Sequence, residues 1–152
     1  MRTRVTAAVA AAGFLAVALG IRLLAAGGGV LDSSGALAQY SGTALYASMV
    51  YAGVFLLWPT ARPAGAGLAA IGFCWAVELF QLTGVPAALS ARSTLARLAL
   101  GVAFDPTDLV WYVIGVVPLV VAHRMVESRS RARPAPRARA RPARPARSAR
   151  PE

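Results

Sequence analysis

The sequence has few charged residues and few of the side chains that bind metals or act as nucleophiles. Charged residues make up 14% of its 152 residues, against about 25% in soluble domains. Its one cysteine, Cys74, excludes an intramolecular disulfide, and its one histidine, His123, leaves the usual zinc ligand sets incomplete. It contains no phosphate-binding glycine loop and no nucleophile paired with a base. We therefore expect no metal and no other cofactor, and nothing in the sequence indicates an enzyme.

Lysine is absent, and most of the arginines stand at the C-terminal end. Of 16 basic residues, all arginine, ten lie between Arg124 and Arg150. Residues 127–152 consist mainly of arginine, proline and alanine and have no apolar face to bury, so we predict a disordered tail. The tail lacks the aromatic residues that stack on bases, which disfavours nucleic acid as a partner. We favour anionic lipid headgroups, to which each nearby arginine contributes roughly 1 kcal/mol.

Long apolar stretches dominate the rest of the chain. Hydrophobic residues make up 57% of the sequence, more than a soluble domain of this length can bury. We therefore predict an all-α membrane domain over residues 1–126, with the lipid bilayer as its solvent. Its four membrane-spanning helices are expected at about residues 5–26, 43–58, 64–82 and 106–123. The first stretch is longer than the apolar region of a typical signal peptide, so a retained span is favoured over a cleaved one.

The connections between these spans differ in length. Residues 27–42 are rich in glycine and serine and predict a loop. Arg62 and Pro63 mark a very short turn, which makes the second and third spans antiparallel neighbours. Residues 93–100 have apolar positions at helical spacing, with Gly101 as a stop. They predict a short amphipathic or re-entrant helix, which is too short to span the membrane.

The last span has a clear start signal. Asp105 can cap the free amides of the helix, and Pro106 suits its first position. Asp108 then falls in the first turn, where a carboxylate favours the positive end of the helix dipole. The third span carries Gly65, Gly67 and Gly72, which can allow another helix to approach closely.

The arginines near the predicted spans also predict an orientation. The positive-inside rule assigns the side with more arginines to the cytoplasm. With four spans, Arg92 and Arg97 fall on the opposite side from Arg2, Arg4, Arg62, Arg124, Arg129 and Arg131. Both termini are therefore expected in the cytoplasm, and the protein is expected in a bacterial inner membrane.

A few polar residues fall at membrane depth, where an ionisable side chain costs about 2.5–3.5 kcal/mol on insertion scales. Glu78 is the deepest, and Gln81 shares its face of the third span. Two interpretations remain open: Glu78 lines a cavity that binds a polar group or relays a proton, or it pairs with Arg22 or Arg97 and fixes helix packing. The candidate polar site, expected in the outer half of the helix bundle, comprises Arg22, Glu78, Gln81, Arg97, Asp105 and Asp108. Some of these residues also have a structural alternative. Arg22 can extend its side chain to the lipid headgroups, and the two aspartates can cap the last helix.

The order of these motifs resembles a bacterial membrane family known as domain of unknown function 2809. The resemblance covers about residues 20–121 and is carried by residues 20–22, 40–46, 77–82 and, most specifically, 97–115. It implies a four-helix membrane protein without an assigned activity. The chain departs from the family pattern at Thr43, where an aspartate is usual, and at Pro106, where an aromatic residue is common.

A looser similarity reaches the VanZ-like membrane proteins, some of which are linked to glycopeptide resistance. The shared pattern is Glu-x-x-Gln, a later arginine and Phe-Asp-x-x-Asp-Leu before the last span, here Glu78, Gln81, Arg97 and residues 104–109. This similarity implies a second possible function, binding of a polar or lipid-linked cell-envelope substrate near Glu78. A structural, envelope-associated protein without catalytic activity is the first, and a small transporter is the third. The transporter would have to form a homo-oligomer to build the usual repeat interface.

Overall fold

Helices make up the regular structure of the chain. The computed structural model describes residues 2–26, 36–101 and 103–132, and these ranges contain no strand. The helices in them are α1 (Arg2–Ala26), α2 (Ala36–Leu57), α3 (Pro63–Gln81), α4 (Val85–Ser90), α5 (Thr94–Leu100) and α6 (Pro106–Ala132). Within the described ranges, four of them, α1, α2, α3 and α6, are long and apolar enough to cross a membrane. The predicted all-α fold with four membrane-spanning helices is confirmed.

Helix α2 begins at Ala36, about two turns before the predicted start at residue 43. The residues that suggested a loop are polar, but they make contacts with α6. Gln39 Nε2 donates to Asp105 Oδ2 at 3.2 Å, and the ring of Tyr40 stacks on Trp111 with centroids 5.2 Å apart. These partners make helix the better conformation for residues 36–42. Residues 27–35 of the predicted loop lie outside the described residues.

Helix α6 continues to Ala132, so residues 127–132, which we predicted as part of the tail, are helical. Short-range contacts extend the helix. The hydroxyls of Ser128 and Ser130 donate to backbone oxygens one turn earlier, each at 2.9 Å. Glu127 lies 3.7 Å from Arg131 at helical spacing, an arrangement that stabilises helices. The remainder of the predicted tail, residues 133–152, lies outside the described residues.

Two short helices, α4 and α5, connect α3 to α6. The sequence predicted one helix here, over residues 93–100, and the structure gives α5 over Thr94–Leu100 with Gly101 at its end. The Ser93 hydroxyl accepts from the Ala96 amide at 3.3 Å and caps α5. Helix α4 was missed because it follows a left-handed glycine, Gly84, and its six residues, nearly all apolar, make fewer than two turns and show no helical period.

Helix α2 lies at the centre of the packing. In the described chain it contacts α1, α3 and α6, and α3 also contacts α6, whereas α1 contacts only α2. The buried residues that pack together as the hydrophobic core are Ala7, Ala47, Tyr51, Phe55, Ala66, Ala70, Cys74, Tyr112 and Val116. Large apolar side chains elsewhere are exposed, including Leu68 at 74% and Phe73 at 53%. Such faces are stable in lipid, which agrees with helices that cross a membrane.

Small residues allow α6 to approach α2 and α3. A Cβ atom on Gly115 would overlap the carbonyl group of Ala44. The Ser48 hydroxyl donates across the same contact to Gly115 O at 2.9 Å. On α3, a Cβ atom on Gly67 would lie 2.6 Å from Val120 Cγ2, so the predicted close approach occurs at Gly67. It does not occur within the described residues at Gly65 or Gly72, where a Cβ atom would meet nothing within 4 Å.

Candidate functional site

Polar side chains from four helices meet where α2 and α6 begin and α3 ends. We call this group the polar cluster. Its members are Gln39, Thr43, Tyr46, Glu78, Gln81, Ser90, Asp105, Asp108 and Tyr112.

Glu78 is the centre of the polar cluster and is completely buried, with 0% of its surface exposed. Ala66, Ala70 and Cys74 precede it at intervals of four residues, so Glu78 belongs to the buried stripe of α3. Its Oε1 accepts from the Asp105 amide at 2.7 Å, and its Oε2 accepts from the Tyr112 hydroxyl at 2.8 Å. Both carboxyl oxygens therefore have donors from the start of α6.

The first turn of α6 is held by a hydrogen bond within the turn and by two side chains of α2. Asp105 Oδ1 accepts from the Thr107 amide at 2.9 Å, which confirms the predicted cap. Its other oxygen accepts from Gln39, as described above. Asp108 Oδ1 accepts from the Thr43 hydroxyl at 3.0 Å. An aspartate at position 43 would instead place a second carboxyl group beside Asp108, and like charges there would repel.

Side chains from three different helices hold the C-terminal end of α5. Gln81 Nε2 donates to Leu100 O at 2.7 Å, Ser90 Oγ donates to Gly101 O at 2.7 Å, and Tyr46 OH donates to Ala99 O at 3.0 Å. Gly101 has φ 70° and ψ −166°, a region essentially restricted to glycine. Its missing side chain also leaves room for Gln81, because a Cβ atom there would lie 2.5 Å from Nε2.

The pairing of Glu78 with Arg22 or Arg97, one of the two interpretations left open by the sequence, does not occur in the described part of the structure. Both arginines are exposed, and the ion pairs found in the described ranges involve Glu127, at the other end of α6. Arg22 lies on α1, which contacts α2 and not α3 in these ranges. The Tyr112 hydroxyl and the Asp105 amide satisfy Glu78 without burying a guanidinium, whose desolvation is expensive.

The structure thus brings Glu78, Gln81, Asp105 and Asp108 together and leaves Arg22 and Arg97 outside the polar cluster. Among the uncharged members, sequence reasoning found Gln81 and missed five others. These are Gln39, Thr43, Tyr46, Ser90 and Tyr112. One signal for Tyr112 was available, since it follows Asp108 by four residues and so shares its helix face.

Beside the polar cluster, the turn between α4 and α5 forms a depression of about 220 Å³. It is lined by Ser90, Ala91, Arg92, Ser93, Thr94 and Arg97. Among the described residues, no three His, Cys, Asp or Glu side chains are grouped so that they could hold a metal ion.

Comparison with known families gives a match that extends from just before α2 into α6. The model of a family described as "Protein of unknown function (DUF2809)" matches residues 33–116, more than half of the chain. The chain belongs to this family. The match confirms the resemblance seen in the sequence and contains every member of the DUF2809 protein's polar cluster. No curated protein and no solved structure matches the chain.

Proposed function

We propose that this DUF2809 protein is a non-catalytic integral membrane protein of the bacterial inner membrane, and that its polar cluster has a structural role. The burial of Glu78 with a donor on each carboxyl oxygen carries this proposal. In this role Glu78 fixes the start of α6 on the end of α3. Gln81 and Ser90 fix the α4–α5 connector to the same point.

A structural role explains the partners of Glu78 better than a binding role does. A polar ligand at Glu78 would have to displace the Asp105 amide or the Tyr112 hydroxyl. Either donor would then be buried without an acceptor, at a cost of about 1–3 kcal/mol. A binding or catalytic carboxyl group, by contrast, normally lines a cavity that its ligand can enter.

The proposed orientation places the N-terminus, the α2–α3 turn and the C-terminal arginines in the cytoplasm, as the positive-inside rule favours. The polar cluster and the α4–α5 connector then lie on the outer side. In the cytoplasm the C-terminal arginines would meet the anionic lipid headgroups of the inner leaflet.

Single cysteines test this orientation. In a Cys74→Ala background, Thr60→Cys places a thiol in the α2–α3 turn and Ala91→Cys places one in the connector, both at exposed positions. We expect a membrane-impermeant maleimide to label Ala91→Cys in spheroplasts and Thr60→Cys only after the membranes are opened. The reverse pattern would overturn the orientation, and the Cys74→Ala parent without a new cysteine controls for background labelling.

The structural role is tested against substrate binding by the variant Glu78→Gln. Glutamine can accept from the Asp105 amide and donate to the Tyr112 oxygen, so the variant should fold and reach the membrane in normal amounts. The readout is the sensitivity to glycopeptides and other envelope-targeting antibiotics of a strain that lacks the native gene and carries either form. We expect the two forms to give equal sensitivity at equal membrane abundance. If the native form changed antibiotic sensitivity and Glu78→Gln did not, Glu78 would instead belong to a substrate site.

A further inference from the structure

The connector between α3 and α6 carries positive charge without compensation. Arg92 and Arg97 are both exposed, and neither guanidinium has an acidic partner in the described ranges, where the ion pairs involve Glu127. The sequence has no aspartate or glutamate from residue 79 to residue 104. The two arginines also oppose the proposed orientation, since they stand on the side with fewer basic residues.

The acidic residues of the polar cluster do not neutralise these arginines. The carboxyl group of Glu78 accepts hydrogen bonds from the Asp105 amide and the Tyr112 hydroxyl. Asp105 accepts from Gln39 and from the Thr107 amide, and Asp108 accepts from Thr43. Each carboxyl group therefore has its donors within the polar cluster or the first turn of α6, whereas both guanidinium groups remain exposed.

The depression that these arginines line offers hydrogen-bond donors. The Thr94 hydroxyl has no partner among the described residues, and the Ser93 hydroxyl accepts from Ala96, which leaves its own proton free to donate. Ser90 donates inward to Gly101 O. Two guanidinium groups with neighbouring hydroxyls suit a phosphate, because arginine presents paired N–H groups that match phosphate oxygens.

Exposed apolar side chains stand next to the lining residues in sequence. Leu89 precedes Ser90 and Leu95 follows Thr94, and they are 45% and 79% exposed. Helices α4 and α5 have six and seven residues, too few to cross the hydrocarbon core. They connect the end of α3 to the start of α6, so they lie at the membrane surface. A phosphate bound there would have acyl chains beside it, and these exposed leucines would contact them.

We propose that this depression binds the phosphate group of an anionic phospholipid, with Arg92 and Arg97 pairing with its oxygens and the exposed leucines contacting its acyl chains. The occupant is a lipid because the donors and the apolar side chains occur together. This proposal requires helices that span a bilayer, but it depends neither on the structural role of Glu78 nor on which leaflet faces the connector.

The test uses the full chain in detergent, titrated with phosphatidylglycerol or phosphatidylcholine and followed by native mass spectrometry. The variant is Arg92→Gln/Arg97→Gln. The matched control, Arg2→Gln/Arg4→Gln, removes the same charge from exposed positions at the start of α1. We expect the connector variant to bind phosphatidylglycerol about 30-fold more weakly, at about 1 kcal/mol per arginine. The control should bind as the native protein does, and phosphatidylcholine binding should not change.

Three results would overturn the proposal. One is unchanged phosphatidylglycerol binding by the connector variant, with helix content verified by circular dichroism. Another is an equal loss in the Arg2→Gln/Arg4→Gln control, which would show that only net charge matters. The third is displacement of phosphatidylglycerol by inorganic phosphate at equal concentration, which would assign the depression to free phosphate.

Discussion

Replacing Glu78 with alanine should destabilise the protein by about 2–4 kcal/mol. The substitution leaves the Asp105 amide and the Tyr112 hydroxyl without their acceptor. Water cannot easily replace it, because Tyr112 is only 5% exposed and Glu78 itself is fully buried. An unsatisfied buried donor costs about 1–3 kcal/mol, and the low dielectric of a membrane offers no water to replace the lost oxygen. The free energy of unfolding can be measured by titrating the protein with SDS in mixed lipid–detergent micelles.

Two variants separate this effect from a general weakness of α3. Leu79→Ala changes the neighbouring residue, which is 54% exposed, and should alter the unfolding free energy by no more than about 0.5 kcal/mol. Glu78→Gln retains an acceptor for Asp105 and should fall between the native protein and Glu78→Ala. If Glu78→Ala were as stable as Leu79→Ala, the two hydrogen bonds would not hold α6 on α3.

Replacing Gly115 with alanine should destabilise the contact between α2 and α6 by about 2 kcal/mol. The new Cβ atom would overlap the backbone of Ala44, which cannot rotate away, so the helices must separate. Overpacking costs about 1–3 kcal/mol, and separation also weakens the bond from Ser48 to Gly115 O, worth about 0.6 kcal/mol between membrane helices. The gain in helix propensity, at most about 1 kcal/mol, offsets only part of this.

Gly72→Ala is the matched control for Gly115→Ala. Gly72 lies in α3, and a Cβ atom there would meet nothing within 4 Å. Only the propensity gain applies to it, so the control should be neutral or slightly more stable than the native protein in the same SDS titration. Equal unfolding free energies for the two alanine variants would show that α2 and α6 do not meet closely at Gly115.

The spans could be predicted because lipid imposes a simple requirement on sequence. A helix that crosses a membrane needs a long apolar stretch, and all four stretches are visible in the chain. The ends of the helices were harder to predict. Gln39 and Tyr40 suggested a loop because their partners, Asp105 and Trp111, are more than sixty residues away in sequence. Contacts over that distance leave no local pattern.

The candidate site was predicted in part for a related reason. The cost of a carboxyl group in a membrane drew attention to Glu78, and helix-start chemistry drew attention to Asp105. The sequence does not show which donors reach Glu78. Charge made an arginine one of the two partners considered, but the structure has a tyrosine hydroxyl and a backbone amide there. A backbone amide is present at nearly every residue, so only the fold can select it.

The attachment of α1 has a practical consequence for work on this protein. In the described chain α1 contacts only α2, and its one side-chain hydrogen bond, from Thr6 to Arg2 O, stays within the helix. Packing alone holds it, and the match to the DUF2809 family begins only after it, at residue 33. A purification tag or fluorescent protein fused ahead of Arg2 would therefore disturb at most the contact between α1 and α2, and it would leave the connector unchanged. A fusion inserted between α4 and α5 would disturb the hydrogen bonds by which Gln81 and Ser90 hold the C-terminal end of α5.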